Sequence, residues 1–563
     1  MEEVVGSNPT RSTTPKSSPL RIPLLSRCHD GLLYAGLVFK PTPAILFLIV
    51  APLLCGQRFD VLIYGGTASG AAAAIAAARS GGVSVALVEP GGHLGGILSG
   101  GLGRTDMDRQ ERLIGGIARE FFERAGRHYG QAAAWTFEPS VAERILNDWL
   151  KESGVHVHLR QQIAEHNSVD KDGGRILRFR TTKGATFEAA VFIDASYEGD
   201  LMKAAGVSYT VGREARGHYG ESYAGRQDFL PGNHQPRVPI SPLGPDGNLA
   251  PYVVAEDTLV NLGESDGKFQ SYCFRLCLTS DPANRLPLPR PDGYDPNRYA
   301  LTANYLKALG PDARISDFLG ISLMPNSKTD INASRISTNV VGASWEYPDA
   351  TYARRREIWN DHLTWAQGLL YYLANEANVP EHIRKEMNRW GLAKDEFVAT
   401  GHWPHQLYIR EGRRMLGEYV LTQHDLQSRR RKYDSIGMAG YNIDIREVQW
   451  VARTVYRFPN MSQELLMEGY VSVPVDPWEI PYRALLPRQH EASNLLVSSC
   501  ISASTVAYAS FRMEPQYMID GHAAGAAAAL AVRTRLPVHH ISIPELQRLL
   551  REQKQLIAEP PAN

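Results

Sequence analysis

The chain has 563 residues, 43% hydrophobic and 21% charged, a globular profile that excludes fibrous and wholly disordered classes. Its 60 Lys plus Arg equal its 60 Asp plus Glu, so no global field draws it to nucleic acid or to an anionic membrane. A chain of this length exceeds one hydrophobic core, and packed domains are expected.

Residues 1–57 are expected to be a disordered leader and signal peptide. The segment up to about residue 37 is rich in Ser, Thr, Pro and Arg without periodicity. Lys40 then precedes the apolar run AILFLIVAPLL and the exit Cys55-Gly56-Gln57, the pattern of a secretory signal. The run is shorter than the roughly 20 residues of a membrane-spanning helix. Export to the periplasm or the extracellular space is therefore expected. An uncleaved N-terminal segment would be the membrane contact, and a misassigned start would leave the protein in the cytoplasm. Of the cysteines, Cys273, Cys277 and Cys500 follow the expected cleavage site, too few for a disulfide framework. Cys273 and Cys277 lie in KFQSYCFRLCLT, which reads as a strand. That spacing sets them about 13 Å apart along one face, beyond disulfide reach.

Residues 59–64 (FDVLIY) read as a buried parallel strand. A glycine-rich turn, Gly65, Gly66, Thr67, Ala68, Ser69 and Gly70, leads into an Ala-dense helix over 71–80. A second strand over 83–88 closes on Glu89 and Pro90. This is a complete βαβ unit. Its turn and helix start suit a pyrophosphate, and its terminal acid suits an adenosine ribose. Thr67 stands where the dinucleotide fingerprint has its middle glycine. A second glycine-dense loop follows at once, with Gly95, Gly96, Gly103 and Arg104, where a pyridine-nucleotide fold would continue with another βαβ repeat. That order favours FAD over NAD. Helices are expected over 115–129, 140–153, 352–377 and 514–532, and strands over 155–159, 174–181, 186–193 and 494–498. The strand before Asp194, Ala195 and Ser196 and the helix start at Arg512, Met513 and Glu514 complete the candidate cofactor set. The helix dipole and Arg512 suit the negative charge near N1 and O2 of a reduced flavin.

The segments DVLIYGGTASGAAAAIAAARSG, HLGGILSGGLGRTD, IDASYEGDLMKAAGVSYTVGRE, WPHQLYIREGRRMLGEYVLTQHD and ISASTVAYASFRMEPQYMIDGHAAG resemble one family. It is the FAD-dependent oxidoreductases of the glutathione-reductase-like two-dinucleotide-binding superfamily, in their bacterial secreted branch. The resemblance runs from about residue 59 to 532. It implies an α/β fold, with a Rossmann-like FAD-binding domain and an inserted α+β substrate or cap domain. The expected parts are a first FAD-binding segment over 58–211, the substrate domain over 212–478, a returning FAD-binding segment over 479–535 and a C-terminal tail over 536–563. Asp444-Ile445-Arg446 departs from the Asp-Ser-His expected of the family, which removes a histidine from position 446.

Hydride transfer at a flavin needs a positioned substrate carbon and commonly a base. The candidate catalytic residues are His405, Arg410, Tyr441 and Arg275. His405 reads as a base beside an anion clamp of Arg410, Arg413 and Arg414, or as a brace against carboxylates such as Glu411 and Glu418. Lys328, Thr329, Asp330 and Asn332 read as an Asx-type turn and not as a metal site; no metal is expected. His93 lies in the expected cofactor loop. The expected partners are a small polar substrate, possible carbohydrate derivatives among them, and an unidentified electron acceptor. A flavoprotein monooxygenase or halogenase, or a binding module with a structural flavin, is the alternative.

Overall fold

The apolar run forms β1 (Gln57–Tyr64), whose last four residues are fully buried. In this computed structural model, residues 57–230, 234–457 and 459–560 are described. Of the leader and signal peptide expected over residues 1–57, residues 1–56 lie outside them, and Gln57 already belongs to β1. After β1 the chain turns into α1 (Ala68–Arg79), then β2 (Val85–Glu89), α2 (Gly116–His128), α3 (Pro139–Glu152) and β3 (His156–Leu159). A meander of β4 (Val169–Asp172), β5 (Arg175–Arg180) and β6 (Thr186–Asp194) follows. The sheet runs in the order β3-β2-β1-β6-β5-β4. β3, β2, β1 and β6 are parallel, and the meander is antiparallel. The four parallel strands hold their apolar runs between covered faces, as parallel sheets require.

The middle of the chain builds small sheets from short strands. β7 (Gly320–Met324) and β8 (Lys328–Asn332) pair antiparallel, from Gly320 opposite Asn332 to Met324 opposite Lys328. They belong to a five-stranded sheet with Leu278–Thr279, Arg285–Leu286 and Gly391–Ala393. Lys328, Thr329, Asp330 and Asn332 are therefore strand residues and not a turn. Their polar side chains find partners from distant segments, which local turn propensity does not register. The strand expected through Cys273 and Cys277 is also broken. Cys273 bridges to Tyr408 and Leu276 to Ile331 as isolated pairs, and regular strand begins at Leu278. Cys273, Cys277 and Cys500 are free and buried. The long helix α4 (Tyr352–Asn375) and the hairpin of β9 (Gln449–Arg457) and β10 (Asn460–Glu468) complete this region.

The chain then returns to the first sheet. β11 (Leu495–Val497) lies parallel to the C-terminal half of β6, with Leu495 opposite Phe192 and Val497 opposite Asp194. The β5 hairpin occupies the other half of the same β6 edge. α5 (Thr505–Phe511) leads to α6 (Glu514–Thr534), which packs lengthwise on α1. Ala and Gly on both helices allow this approach. A Cβ at Gly521 would meet the Ser69 carbonyl, and one at Gly525 the Ala73 carbonyl. Residues 536–563 are not a simple tail. They carry α7 (Ile543–Glu552), capped by Ser542, with Leu546 and Leu550 buried on the α6 side. The described residues lie in one compact unit. Among them no helix is long and apolar enough to cross a membrane.

Candidate cofactor and active site

The turn after β1 is fixed by close contacts. Gly65 donates to the Val88 carbonyl at 2.8 Å, and a Cβ at Gly70 would run into the Gly65 carbonyl. Thr67 caps α1. Its hydroxyl accepts from Gly70 N at 3.2 Å and donates to the Ala195 carbonyl at 2.7 Å. The departure from the glycine fingerprint thus has a structural use: it ties the turn to the end of β6. The first N–H groups of α1, at Ala68 and Ser69, have no partner within the helix and carry its positive dipole end. Glu89 accepts from Gly66 N at 2.6 Å and from Gly91 N at 2.5 Å. Burial pushes its carboxyl up to about 7, with Glu198 adding to the rise and the two N–H groups opposing it.

Beside Glu89 lies a cavity of about 360 Å³. Pro90, Gly91, Gln162 and Glu198 line it from the carboxyl ends of the parallel strands, and Tyr352, Arg355 and Trp359 line it from α4. Ligands of open α/β sheets bind in this crevice. The α4 residues carry no local sequence signal for the role, because only the tertiary fold brings them there.

The other cofactor candidates divide into lining and support. Gly95 donates to the Gly66 carbonyl at 2.6 Å, which lays the second glycine loop on the first. Gly96 abuts Tyr197, whose hydroxyl accepts from Ile97 N at 3.1 Å and donates to Glu514 at 2.8 Å. Asp194 is turned inward and corrects the expectation of a cofactor ligand. Its carboxylate accepts from Ser196 N, Ser196 Oγ and Met202 N at 3.0, 2.7 and 2.7 Å, so Asp194 and Ser196 shape the loop. The backbone N–H groups of Gly103 and Arg104 donate to Asp330 at 3.1 and 3.2 Å and are not free for a cofactor.

At the far end of the loop, Arg512 donates to Tyr408 Oη at 3.0 Å and to Asp444 Oδ2 at 2.8 Å. Met513 is the N-cap residue of α6. Burial pushes the Glu514 carboxyl up to about 8. Arg512 Nε and Glu514 Oε2 are buried without a protein partner. Free helix-start N–H groups, a carboxylate at the strand end, an adjoining cavity and unpartnered polar atoms at the other end fit a dinucleotide cofactor. Residues 65–70 would hold its pyrophosphate, Glu89 its ribose, and Arg512 to Glu514 the flavin end.

The catalytic candidates separate. Arg275 forms a two-point ion pair with Asp330, at 2.6 and 2.5 Å. It shares the face of Tyr408 with Arg410 and Arg512, at 5.8, 4.6 and 6.0 Å from the ring centre. Tyr441 belongs to the same neighbourhood: burial raises its phenol, and Asp444 and Asp106 reinforce the rise. His405 lies elsewhere. Its ring stacks on His93 with centroids 4.0 Å apart, its Nε2 is 3.5 Å from Ser99 Oγ, and it lines the Glu89-side cavity. Burial, and then His93, lowers it to about 4, so it is neutral near pH 7. His93 itself is held by Glu143 at 3.0 Å. The expected clamp also dissolves. Arg413 pairs with Asp200, and Arg414 with Glu214 and Glu411, which leaves Arg410. Sequence reasoning missed Asp106. This residue is exposed, yet burial raises its carboxyl, with Arg275 opposing the rise.

A family model described as FAD dependent oxidoreductase matches residues 60–550, nearly all of the sheet, the middle region and the return. The chain belongs to this family. Its cofactor is FAD, and the protein is an oxidoreductase. A comparison with curated proteins finds no match. Among solved structures it resembles T. acidophilum thioredoxin reductase at 22% identity, covering 24% of this chain and 35% of that one, with a TM-score of 0.16. The anhydrotetracycline hydroxylase of Streptomyces rimosus matches at 16% identity over 28% and 38%, with a TM-score of 0.21. L-Proline dehydrogenase from P. horikoshii matches at 12% over 28% and 59%, with a TM-score of 0.22. The chain thus spans less than two thirds of each of these structures, and at such TM-scores the likenesses say nothing of substrate or mechanism.

Proposed function

We propose that the enzyme moves a hydride between FAD and a small polar substrate, with carbohydrate derivatives as the leading class, and passes the electrons to an external acceptor. The observation that carries this reading is the grouping of Arg275, Arg410 and Arg512 around the Tyr408 ring beside the start of α6, with the exposed Asp106 carboxylate within the electrostatic reach of Arg275 and Arg512. When bound, FAD supplies a two-electron hydride acceptor at N5. The chain supplies the rest. Asp106 takes the proton of the substrate hydroxyl as its carbon loses hydride, and Arg275 and Arg512 hold that carboxyl's charge in place. Tyr408 and Tyr441 offer hydroxyls that orient the substrate. The N-terminus of α6 and Arg512 offset negative charge at the flavin end. Export is part of the same proposal and rests on the signal-like residues 40–57. N-terminal sequencing of the mature protein tests it, and an intact start recovered from the cytoplasm overturns it.

The test of the reaction is anaerobic incubation of FAD-loaded protein with sugars, polyols and sugar acids, followed by the visible absorbance of oxidised flavin. A substrate bleaches it. Asp106→Asn slows bleaching by about 100-fold or more, the scale of a lost general base, with FAD content unchanged. If no donor bleaches the flavin and no acceptor reoxidises it after photoreduction, the flavin is structural and the proposal fails.

A further inference from the structure

Among the described residues, the buried arginines keep an acidic partner, with one exception. Arg213 pairs with Asp266, Arg275 with Asp330, Arg355 and Arg413 with Asp200, Arg414 with Glu214, and Arg512 with Asp444. Arg410 is 1% exposed, and among the described residues no carboxylate lies within ion-pair distance of it. Its guanidinium donates to the Ser271 carbonyl at 2.5 Å, to Cys273 Sγ at 3.2 Å and to Asn332 Oδ1 at 3.4 Å. Together with the Tyr408 ring, 4.6 Å from its guanidinium carbon, these partners include no carboxylate to balance its charge. The surroundings make this worse. Arg275 and Arg512 share the Tyr408 ring with it. Burial, and then Arg446 and Arg512, lower the pKa of Arg410, with Cys273 opposing. Arg446 is beside it, with Nη2 3.2 Å from His234 Nδ1 and with Nε, which makes no hydrogen bond, 3.9 Å from Glu447. A buried cation without a counter-ion costs several kcal/mol. A fold that pairs its other buried arginines and leaves this one beside the flavin end reserves its charge for an anion that arrives from outside.

We infer that Arg410, with Arg446 beside it, receives the carboxylate of the substrate, which places the substrate among small carboxylic acids such as sugar acids. The inference rests on the oxidoreductase reading and narrows its substrate class. A planar guanidinium suits a carboxylate by two-point hydrogen bonding, which a lysine cannot reproduce.

The test titrates FAD-loaded protein with sodium D-gluconate, sodium acetate and D-glucose, read by the flavin visible spectrum and by Tm. Gluconate and acetate perturb both saturably, and glucose does not. Arg410→Met weakens gluconate by at least about 30-fold, the loss expected when a buried charge partner is removed, with FAD content retained. Arg410→Lys keeps the charge and weakens gluconate by about 5- to 10-fold, which serves if the Met variant does not fold. Cys273→Ser leaves gluconate affinity within about twofold. The inference is overturned if carboxylates leave wild type unperturbed or if gluconate binds the Met or Lys variant as tightly as wild type. It is also overturned if Arg410→Met shifts only the flavin reduction potential, since the charge then answers to the cofactor. A tenfold gain of affinity in Cys273→Ser overturns it by making the thiolate the counter-ion. Saturable gluconate binding with no redox turnover of any donor or acceptor would instead sink the oxidoreductase reading and leave the anion site standing.

Discussion

The dinucleotide half and the middle of the chain are held together by opposite means. Around β1, α1 and α6, small residues let backbones touch, and the stabilising quantity is shape. In the middle, short strands and irregular loops are pinned by buried ion pairs such as Lys328 with Glu138 and Arg213 with Asp266, and the stabilising quantity is charge. The first region should therefore be sensitive to added volume, and the second to a removed charge.

The largest expected effect is in the second region. The Lys328 ammonium lies 2.6, 2.8 and 2.7 Å from Glu138, Asp395 and Glu396, three donors matched to three carboxylates. It binds β8 to the start of α3 across the boundary between the two regions. Lys328→Ala leaves the carboxylates unpaired and costs about 4 kcal/mol, measured by denaturant unfolding. Their oxygens lie within 4.8 Å of one another, so millimolar Ca²⁺ should restore part of the lost stability in the variant and none in wild type. If Lys328→Ala unfolds like wild type, the pin is not structural.

Next comes added volume in the first region. Gly521→Ala drives a methyl into the Ser69 carbonyl at the α1–α6 contact and costs about 3 kcal/mol, the upper range of overpacking. Because α1 opens on the pyrophosphate turn, FAD affinity falls with stability. By contrast Gly184→Ala, where nothing lies within 4 Å of a Cβ, removes no packing; its φ of +80° limits the loss to backbone strain of about 1 kcal/mol. Equal losses at the two positions would remove the claim that shape governs this half.

The same contrast explains what the sequence made legible. Strand β1, the turn, α1, β2 and Glu89 form contacts a few residues apart, so hydrophobic period and glycine spacing sufficed. α7 was legible as well, since Ser542 precedes apolar residues at helical spacing, but its place at the chain end concealed it. Lys328 and Asp330 were misread because their partners lie 190 and 55 residues away in Glu138 and Arg275. His405 was assigned to the wrong neighbours for the same reason: its ring meets His93, a contact that no local pattern encodes. Arg410 stood in the sequence beside Arg413 and Arg414, and what sets it apart from them is that no carboxylate among the described residues pairs with it, which only the fold reveals.

The smallest expected effect joins the two regions through a proton. Glu514 sits at the start of α6 and is pushed up to about 8 by burial, whereas in an unfolded chain it titrates near 4.3. Between these values the folded protein binds a proton that the unfolded chain has released. The stabilisation is thus complete below about pH 4.3 and is lost as pH rises toward 8, at roughly 1.4 kcal/mol per pH unit. Buried His362, His405 and His522, lowered to about 4, act in the opposite sense, but only between 4 and their unfolded value near 6.5. Glu89, raised to about 7, adds to the decline only up to that pH. From pH 7 to 8 Glu514 still contributes, together with Asp520, whose carboxyl burial also raises far above its ordinary value. Glu514 alone should take about 1 kcal/mol from the apoprotein over that unit. Glu514→Gln keeps the hydrogen bond from Tyr197 without a titrating group, and its decline over the same unit should be smaller by about that amount. A parallel decline in both proteins would assign the slope to other groups and leave Glu514 charged at neutral pH, bringing a negative charge to the very helix end proposed to offset one.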